Sequence, residues 1–189
     1  RYVVTYNGEI YNFAALRGEL ETLGHAFARL RVGPAQADLD CGPLIRAGQL
    51  ERVRGFLAEA ERDALPRVAQ GEIVADAPKG GYYQRPTLLR DVPVGHRLAQ
   101  EEVFGPVLAA MPFDDETQAL RLANATRFGL VAGVWTRDGS RQLRIARGLE
   151  SGQVFINNYG AGGGVELPFG GVKSSGYGRE KGIEGLLSF

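Results

Sequence analysis

Apolar residues recur along the chain at two spacings, and the change between them marks the elements. Val53, Phe56, Leu57 and Ala60 fall at helical spacing and predict a helix over about 46–63. From Pro106 onward the pattern is regular. VLAAM (107–111), LVAGVW (130–135) and QVFIN (153–157) are near-continuous apolar runs of the kind buried strands show. Between them, DDETQALRLANAT and DGSRQLRIARGLE predict helices, the first capped by Asp114 or Asp115, the second turning Leu143, Ala146 and Leu149 inward. Strand, helix, strand, helix, strand in this order predicts an α/β fold with a parallel sheet and right-handed crossovers.

The first half is less regular. Residues 2–6 (YVVTY) read as a strand and Asn7-Gly8 as a tight turn before EIYN. Asn12 is placed to cap a helix over about 13–23, which Gly24 is expected to end. RVGPAQADLDCGP (31–43) carries two Gly and two Pro without periodicity and reads as a loop. PRVAQ, EIVAD and TLLRDV, within 64–95, are short strand candidates separated by Gly, Pro and a GGYY turn.

Composition narrows the function classes. At 44% hydrophobic and 23% charged residues the chain can bury a core, which excludes a mostly disordered protein. Acidic and basic residues number 22 each, so the basic footprint of a nucleic-acid binder is missing. The apolar runs fall short of the roughly twenty residues a membrane helix needs. RYVVTYNGEIYN has no signal-peptide layout, and a cytoplasmic protein is expected. One cysteine, Cys41, allows no internal disulfide, and neither it nor His25 or His96 belongs to a metal-spacing motif, so no metal is expected.

Two stretches beside the predicted sheet stand out: EEVFGPVL, entering its first strand, and NNYGAGGGVELPFGGVKSSGYGREKG, leaving its third. The glycines from 160 and from 176 each begin a dinucleotide fingerprint, but Val165 and Lys181 stand where its last glycine should be. EEVFGPVL, FGLVAGVWTRD, GQVFINN and LPFGGVKSSGYGREKG, in this order and spacing, resemble the aldehyde dehydrogenase family, as does VGPAQADLDCGPLIRAGQLERVRGFL upstream. The resemblance covers about residues 30–189 and implies the C-terminal part of that family's catalytic region. By it, Glu102 would accept hydrogen bonds from the nicotinamide-ribose hydroxyls of NAD or NADP, a diol suited to a carboxylate. Phe104 would pack by the nicotinamide ring and aim its reactive carbon. Gln49 and Arg52 match helix positions near the adenosine half, the second often lysine in the family. Phe169 matches a wall of the aldehyde tunnel, and the loop 158–167, opening with Asn158, matches one that shapes substrate choice.

The resemblance also implies what this sequence does not contain. The family's reaction needs a cysteine thiolate to attack the aldehyde and a base to activate the water that hydrolyses the thioester. The GQxCxA-type and ELGG-type segments that carry them are missing from these residues, so no catalytic residue is assigned and no turnover is expected of this chain alone. Cys41 is no substitute: the neighbouring Asp38 and Asp40 raise a thiol pKa and oppose a reactive thiolate.

The opening RYVVTYNGEIYNFAALRGELETLGHAF instead resembles the class II glutamine amidotransferase domain of asparagine synthetases. By that resemblance Asn7 (side-chain amide) and Gly8 (backbone N–H) would form an oxyanion hole and Glu9 would hold the glutamine amine. That enzyme's N-terminal cysteine is not here; the chain starts at Arg1. The expected organisation is therefore a partial amidotransferase-like segment, 1–29, joined to a partial dehydrogenase domain, 30–189, as a fragment or chimera. A strand–turn–strand–helix appendage then precedes the parallel-sheet segment. Three functions compete: a dehydrogenase segment acting on an aldehyde with NAD(P), a glutaminase fragment, and a non-catalytic module that self-associates through sheet edges.

Overall fold

The computed structural model describes residues 2–4, 9–11, 16–158 and 164–187. The Asn7-Gly8 turn, the Asn12 cap and the glycines at 160, 162 and 163 lie outside the described residues. Near the N-terminus β1 (Tyr2–Val4) and β2 (Glu9–Tyr11) pair antiparallel. The chain divides into two compact units, one of residues 14–111 and one of residues 1–13 with 112–189.

The 14–111 unit opens with α1 (Leu16–Arg29). It runs past Gly24, where the sequence predicts its end. Gly24 is buried and its Cα side faces Val68, 3.1 Å from where a methyl would stand, so this glycine lets the helix lie close on the strand that follows rather than stopping it. The segment read as a loop forms β3 (Arg31–Val32), a 3-10 turn at Ala35–Ala37 and a bridge from Cys41 to Val32. A two-residue strand is too short to leave a period in the sequence. Helix α2 (Ala47–Arg62) follows, burying Leu50, Val53, Phe56 and Ala60 at the predicted spacing.

Next come β4 (Arg67–Gln70), β5 (Glu72–Ile73), which pairs parallel with β3, β6 (Thr87–Leu89), α3 (Arg97–Gln100) and β7 (Val107–Pro112). β6 is buried along its length and sits between β4, antiparallel, and β7, parallel, with Leu88 opposite Leu108. The core of this unit joins Val53, Phe56 and Ala60 of α2 to Leu89, Val92, Leu98, Val103, Val107 and Met111.

In the other unit α4 (Glu116–Asn124) starts at Asp115, whose carboxylate accepts from the Gln118 amide at 2.7 Å. The chain continues through β8 (Phe128–Gly129), β9 (Val131–Val134), α5 (Gly139–Gly148), β10 (Gln153–Ile156), β11 (Val172–Lys173) and α6 (Gly182–Leu186). β9 and β10 pair parallel across α5, and β8 pairs antiparallel with β11. The core gathers Phe113, Ala119, Val134 and Ile145.

The fold is α/β with parallel strands, as the apolar pattern predicts, but two particulars differ. The strands' neighbours do not follow chain order. β9 has β10 on one edge and β2, parallel, on the other, while β7 pairs with β6. Chain order alone cannot reveal that the fully buried β6 takes the edge of β7. Leu143 points outward, 57% exposed, and Ile145 takes the inward place at 2%. No helix among the described residues is long and apolar enough to cross a membrane.

The contact between α4 and α5 is electrostatic as well as apolar. Glu116 receives Arg141 Nε at 2.6 Å and Arg144 through Nη2 at 2.9 Å and Nε at 3.1 Å. These hydrogen bonds, Arg144 first, pull its carboxyl from the ordinary 4.5 to about 2. A carboxyl depressed on folding stabilises the fold above its unfolded value and loses that contribution as pH falls toward the folded one. Wild type is therefore expected to lose stability between about pH 4.5 and 2 more steeply than Glu116→Gln. Urea midpoints across that range check it; parallel curves would refute the coupling.

Candidate functional site

Helix α2 presents Gln49, Arg52, Val53 and Phe56 on one face, at i, i+3, i+4 and i+7, and that face holds the segment 101–105. Gln49 Nε2 donates to the carbonyl of Val103 at 2.9 Å and to that of Phe104 at 2.7 Å. Arg52 Nη2 donates to the carbonyl of Glu102 at 2.8 Å. Three consecutive carbonyls are thus held by one helix. Below them Val103 is buried at 5%, and Gly105 comes so near α2 that a methyl there would stand 2.5 Å from Val53 Cγ2.

Val103 is buried while Glu102 and Phe104 on either side of it are exposed, Phe104 at 62%. Phe104 also has φ 55°, in the left-handed region that a bulky side chain rarely occupies. Glu101 is engaged elsewhere. It accepts from Arg97 Nε at 3.0 Å and Nη2 at 3.2 Å and from Arg52 at 3.5 Å, and the Arg97 guanidinium holds its carboxyl below the ordinary value. Arg97 and Arg52 lie over the Phe56 ring, 4.1 and 4.9 Å from its centroid. Of the two adjacent glutamates, one is spent on arginines and the other stands exposed, two positions before an exposed aromatic.

The structure joins Gln49 and Arg52 to the segment that carries Glu102 and Phe104. Gln49 and Arg52 direct their donors onto the backbone of the segment. The sequence reading missed that use, and it missed Glu101 and Arg97.

The remaining predicted residues lie in the other unit. Asn158 follows the carboxyl end of β10, just after Asn157. Asn157 (φ 51°) fixes that end: its Oδ1 accepts from Thr136 N at 2.9 Å and its Nδ2 donates to Thr136 O at 3.0 Å. The backbone beside Phe169 is anchored at the opposite end of the same strand, where Gln153 Nε2 donates to Pro168 O at 2.7 Å. Phe169 exchanges two backbone hydrogen bonds of 2.7 Å with Glu180, and Lys181 Nζ stands 5.7 Å from its ring. Asn158 and the Phe169 backbone are thus held at opposite ends of β10. Lys173 (φ 56°) ties β11 to the end of α4, donating to Asn124 O at 2.8 Å and Thr126 O at 3.2 Å.

Two other groups have the look of chemistry. Burial first, and Asp40 second, push the Cys41 thiol up, which opposes thiolate formation; burial outweighs the neighbouring carboxylate. Glu59, Asp63 and His96 offer donor atoms within 4.8 Å of one another. Each is already used: Glu59 faces Arg97 at 3.4 Å, and His96 Nδ1 caps α3 by accepting from Leu98 N at 3.1 Å. That cap leaves the ring proton on Nε2, which points at Asp63 at 3.2 Å. The trio is a clasp between α2 and α3 rather than a ligand set.

Comparison with known proteins agrees with this architecture. The family model described as the aldehyde dehydrogenase family matches residues 18–189, starting inside α1. The human 4-trimethylaminobutyraldehyde dehydrogenase is 45% identical over 158 residues, 82% of this chain and 32% of that protein. Betaine aldehyde dehydrogenase 1 of Rhizobium meliloti (strain 1021) is 40% identical over 153 residues, 81% of this chain and 31% of the relative. A Burkholderia cenocepacia crystal structure assigned to the aldehyde dehydrogenases superposes with a TM-score of 0.90 at 65% identity, over 94% of this chain and 37% of its own. A Pseudomonas syringae aldehyde dehydrogenase C variant in complex with NAD+ and octanal superposes at 0.82 with 30% identity, over 92% of this chain and 36% of its own. The chain spans about a third of the length of these relatives. It belongs to the aldehyde dehydrogenase family.

Proposed function

We propose that the chain supplies part of the cofactor surface and part of the aldehyde-facing loop of an NAD(P)-dependent dehydrogenase that oxidises an aldehyde to a carboxylic acid. The observation that carries this is the 101–105 segment: held through three carbonyls, it leaves a carboxylate, Glu102, and an aromatic residue, Phe104, both exposed and two positions apart. That pair fits a nicotinamide ribose. The carboxylate is an acceptor for the diol, and the exposed ring offers an apolar face for a flat heterocycle. When bound, the nicotinamide would supply the hydride acceptor. Glu102 and Phe104 would orient it, with Gln49 and Arg52 beneath them. Phe169 and Asn158 are proposed for the aldehyde side. Relatives named for 4-trimethylaminobutyraldehyde and betaine aldehyde and a neighbour complexed with octanal support an aldehyde substrate while leaving its side chain open.

Without a GQxCxA-type nucleophile, and with the Cys41 thiol pushed up, the 189 residues by themselves are expected to bind the cofactor weakly at most and not to turn over. A cytoplasmic setting and self-association through sheet edges belong to the same proposal. So does the division into 1–29 and 30–189, with an amidotransferase-like origin for the first part resting on NGEIYN; release of ammonia from glutamine is the activity that would reveal it.

The test is NADH fluorescence titration of the full chain. Binding by these residues alone is expected to be weak, with Glu102→Ala weakening it further by at least about tenfold, the scale of one hydrogen bond to a charged group. Binding that ignores Glu102→Ala would end this reading.

A further inference from the structure

We infer that Gln49 is a positioning residue: its two amide N–H groups hold Phe104 in the left-handed conformation that aims the ring outward. The inference rests on the proposed cofactor reading for its purpose, though not for its geometry.

In an extended chain successive carbonyls point to opposite sides, so one side-chain amide cannot reach two of them. A residue with φ near 55° turns its own carbonyl back toward the side of the one before it. Gln49 Nε2 reaches both, Val103 O at 2.9 Å and Phe104 O at 2.7 Å, because the backbone turns left-handed at Phe104. The dependence runs the other way as well. Phenylalanine resists this conformation, and a strained residue persists only where its surroundings over-determine it. Here Arg52 fixes the carbonyl of Glu102, buried Val103 anchors the middle, and Gly105 lies tight against Val53. Those three constraints fix the flanks. Only Gln49 grips the Phe104 carbonyl itself among the described residues. With both N–H groups turned to the loop, Gln49 has no donor left for a ligand, so it acts on a cofactor through Phe104.

The experiment uses the full chain, isotope-labelled for NMR, with Gln49→Met and Gln49→Glu (similar length, no donor) and Gln49→Lys (donor restored). The three-bond HN–Hα coupling of Phe104, read with its intraresidue HN–Hα NOE (strong at positive φ), reports the left-handed conformation. It is expected to leave the left-handed value in the Met and Glu variants and to keep it in the Lys variant. A role based on side-chain volume would not separate these variants in that way. Adding Phe104→Gly to Gln49→Met should return residue 104 to positive φ without a donor, since glycine meets no penalty there. NADH affinity is expected to fall about tenfold in the Met and Glu variants and to stay near wild type in Lys. An unchanged Phe104 coupling in Gln49→Met and Gln49→Glu would overturn the inference whatever NADH does. If the coupling moves as expected while wild type binds no NADH, the cofactor reading fails and the positioning of Phe104 by Gln49 stands.

Discussion

Phe56→Ala is expected to remove about 3–5 kcal/mol of stability from the 14–111 unit, the range for deleting a buried phenylalanine ring. A domain of this size has roughly 5–15 kcal/mol in total, so much of it would go. Phe56 is fully buried at 0% exposure, packed with Val53, Leu89, Val103 and Met111 in one core. The ring does a second job: Arg97 and Arg52 lie over it at 4.1 and 4.9 Å, and those arginines hold Glu101 and the carbonyl of Glu102. The cavity left by alanine would therefore loosen the segment that carries Glu102 and Phe104 before the unit unfolds. Two measurements check this. The urea midpoint should fall by the stated amount, and hydrogen exchange at 102–105 should quicken at denaturant levels where the rest of the unit is still protected. A loss under about 1 kcal/mol, or exchange that changes uniformly, would contradict it.

The elements were legible because burial leaves a period. The helix read over 46–63 is α2, Ala47–Arg62, since residues three and four apart must share the face that packs. The strands read at 107–111, 130–135 and 153–157 are β7, β9 and β10 within a residue or two, since strands covered on both faces are apolar throughout. What failed is instructive. Leu143 was assigned inward by hydropathy, but the face of α5 that meets α4 runs Arg141, Arg144, Ile145, Gly148. Two arginines on that face are bound by Glu116, and Gly148 makes room for Leu120. A salt-bridged contact stripe does not read as apolar, so Leu143 is misplaced while Leu149 packs against the core as its spacing predicts. Sheet neighbours were illegible for a different reason: strand order depends on which edges are free, and β6 and β2 lie far from their partners in sequence.

The site was legible in part. The motif picks out Glu102 and Phe104, and the structure supplies the reason that Glu101 is not the exposed one: the arginines take it. The clamp was beyond reach. Gln49 and the carbonyls it holds are 54 and 55 positions apart, and phenylalanine carries no sign of a positive φ as glycine or asparagine would. At Asn157, by contrast, the residue type itself favours the left-handed turn at the end of β10, a signal the sequence reading passed over.

Gly152→Ala is expected to be the most damaging single-methyl change in the other unit. A methyl there would overlap the Gly170 carbonyl oxygen and stand 2.7 Å from its carbon and 2.9 Å from Gly171 Cα. These are backbone atoms, so no side chain can swing aside. Either the start of β10 or the 168–171 segment has to move, and neither is free. Gly152 N donates to Gly129 O at 3.0 Å, while Gln153 Nε2 holds Pro168 O and Arg179 Nη1 holds Gly171 O at 3.0 Å. Overpacking of this kind costs about 1–3 kcal/mol or more, and a backbone clash belongs at the upper end. For a unit of this size that is a drop of more than about 10 °C in its thermal midpoint. The 168–171 segment is the part expected to yield first, because it lies in a connection rather than in the parallel pair β9–β10. Limited proteolysis should then cut near Phe169 in the variant at temperatures where wild type resists, with β10 still protected. Wild-type melting and cleavage would mean that Gly152 and Gly170 do not approach as closely as the structure places them.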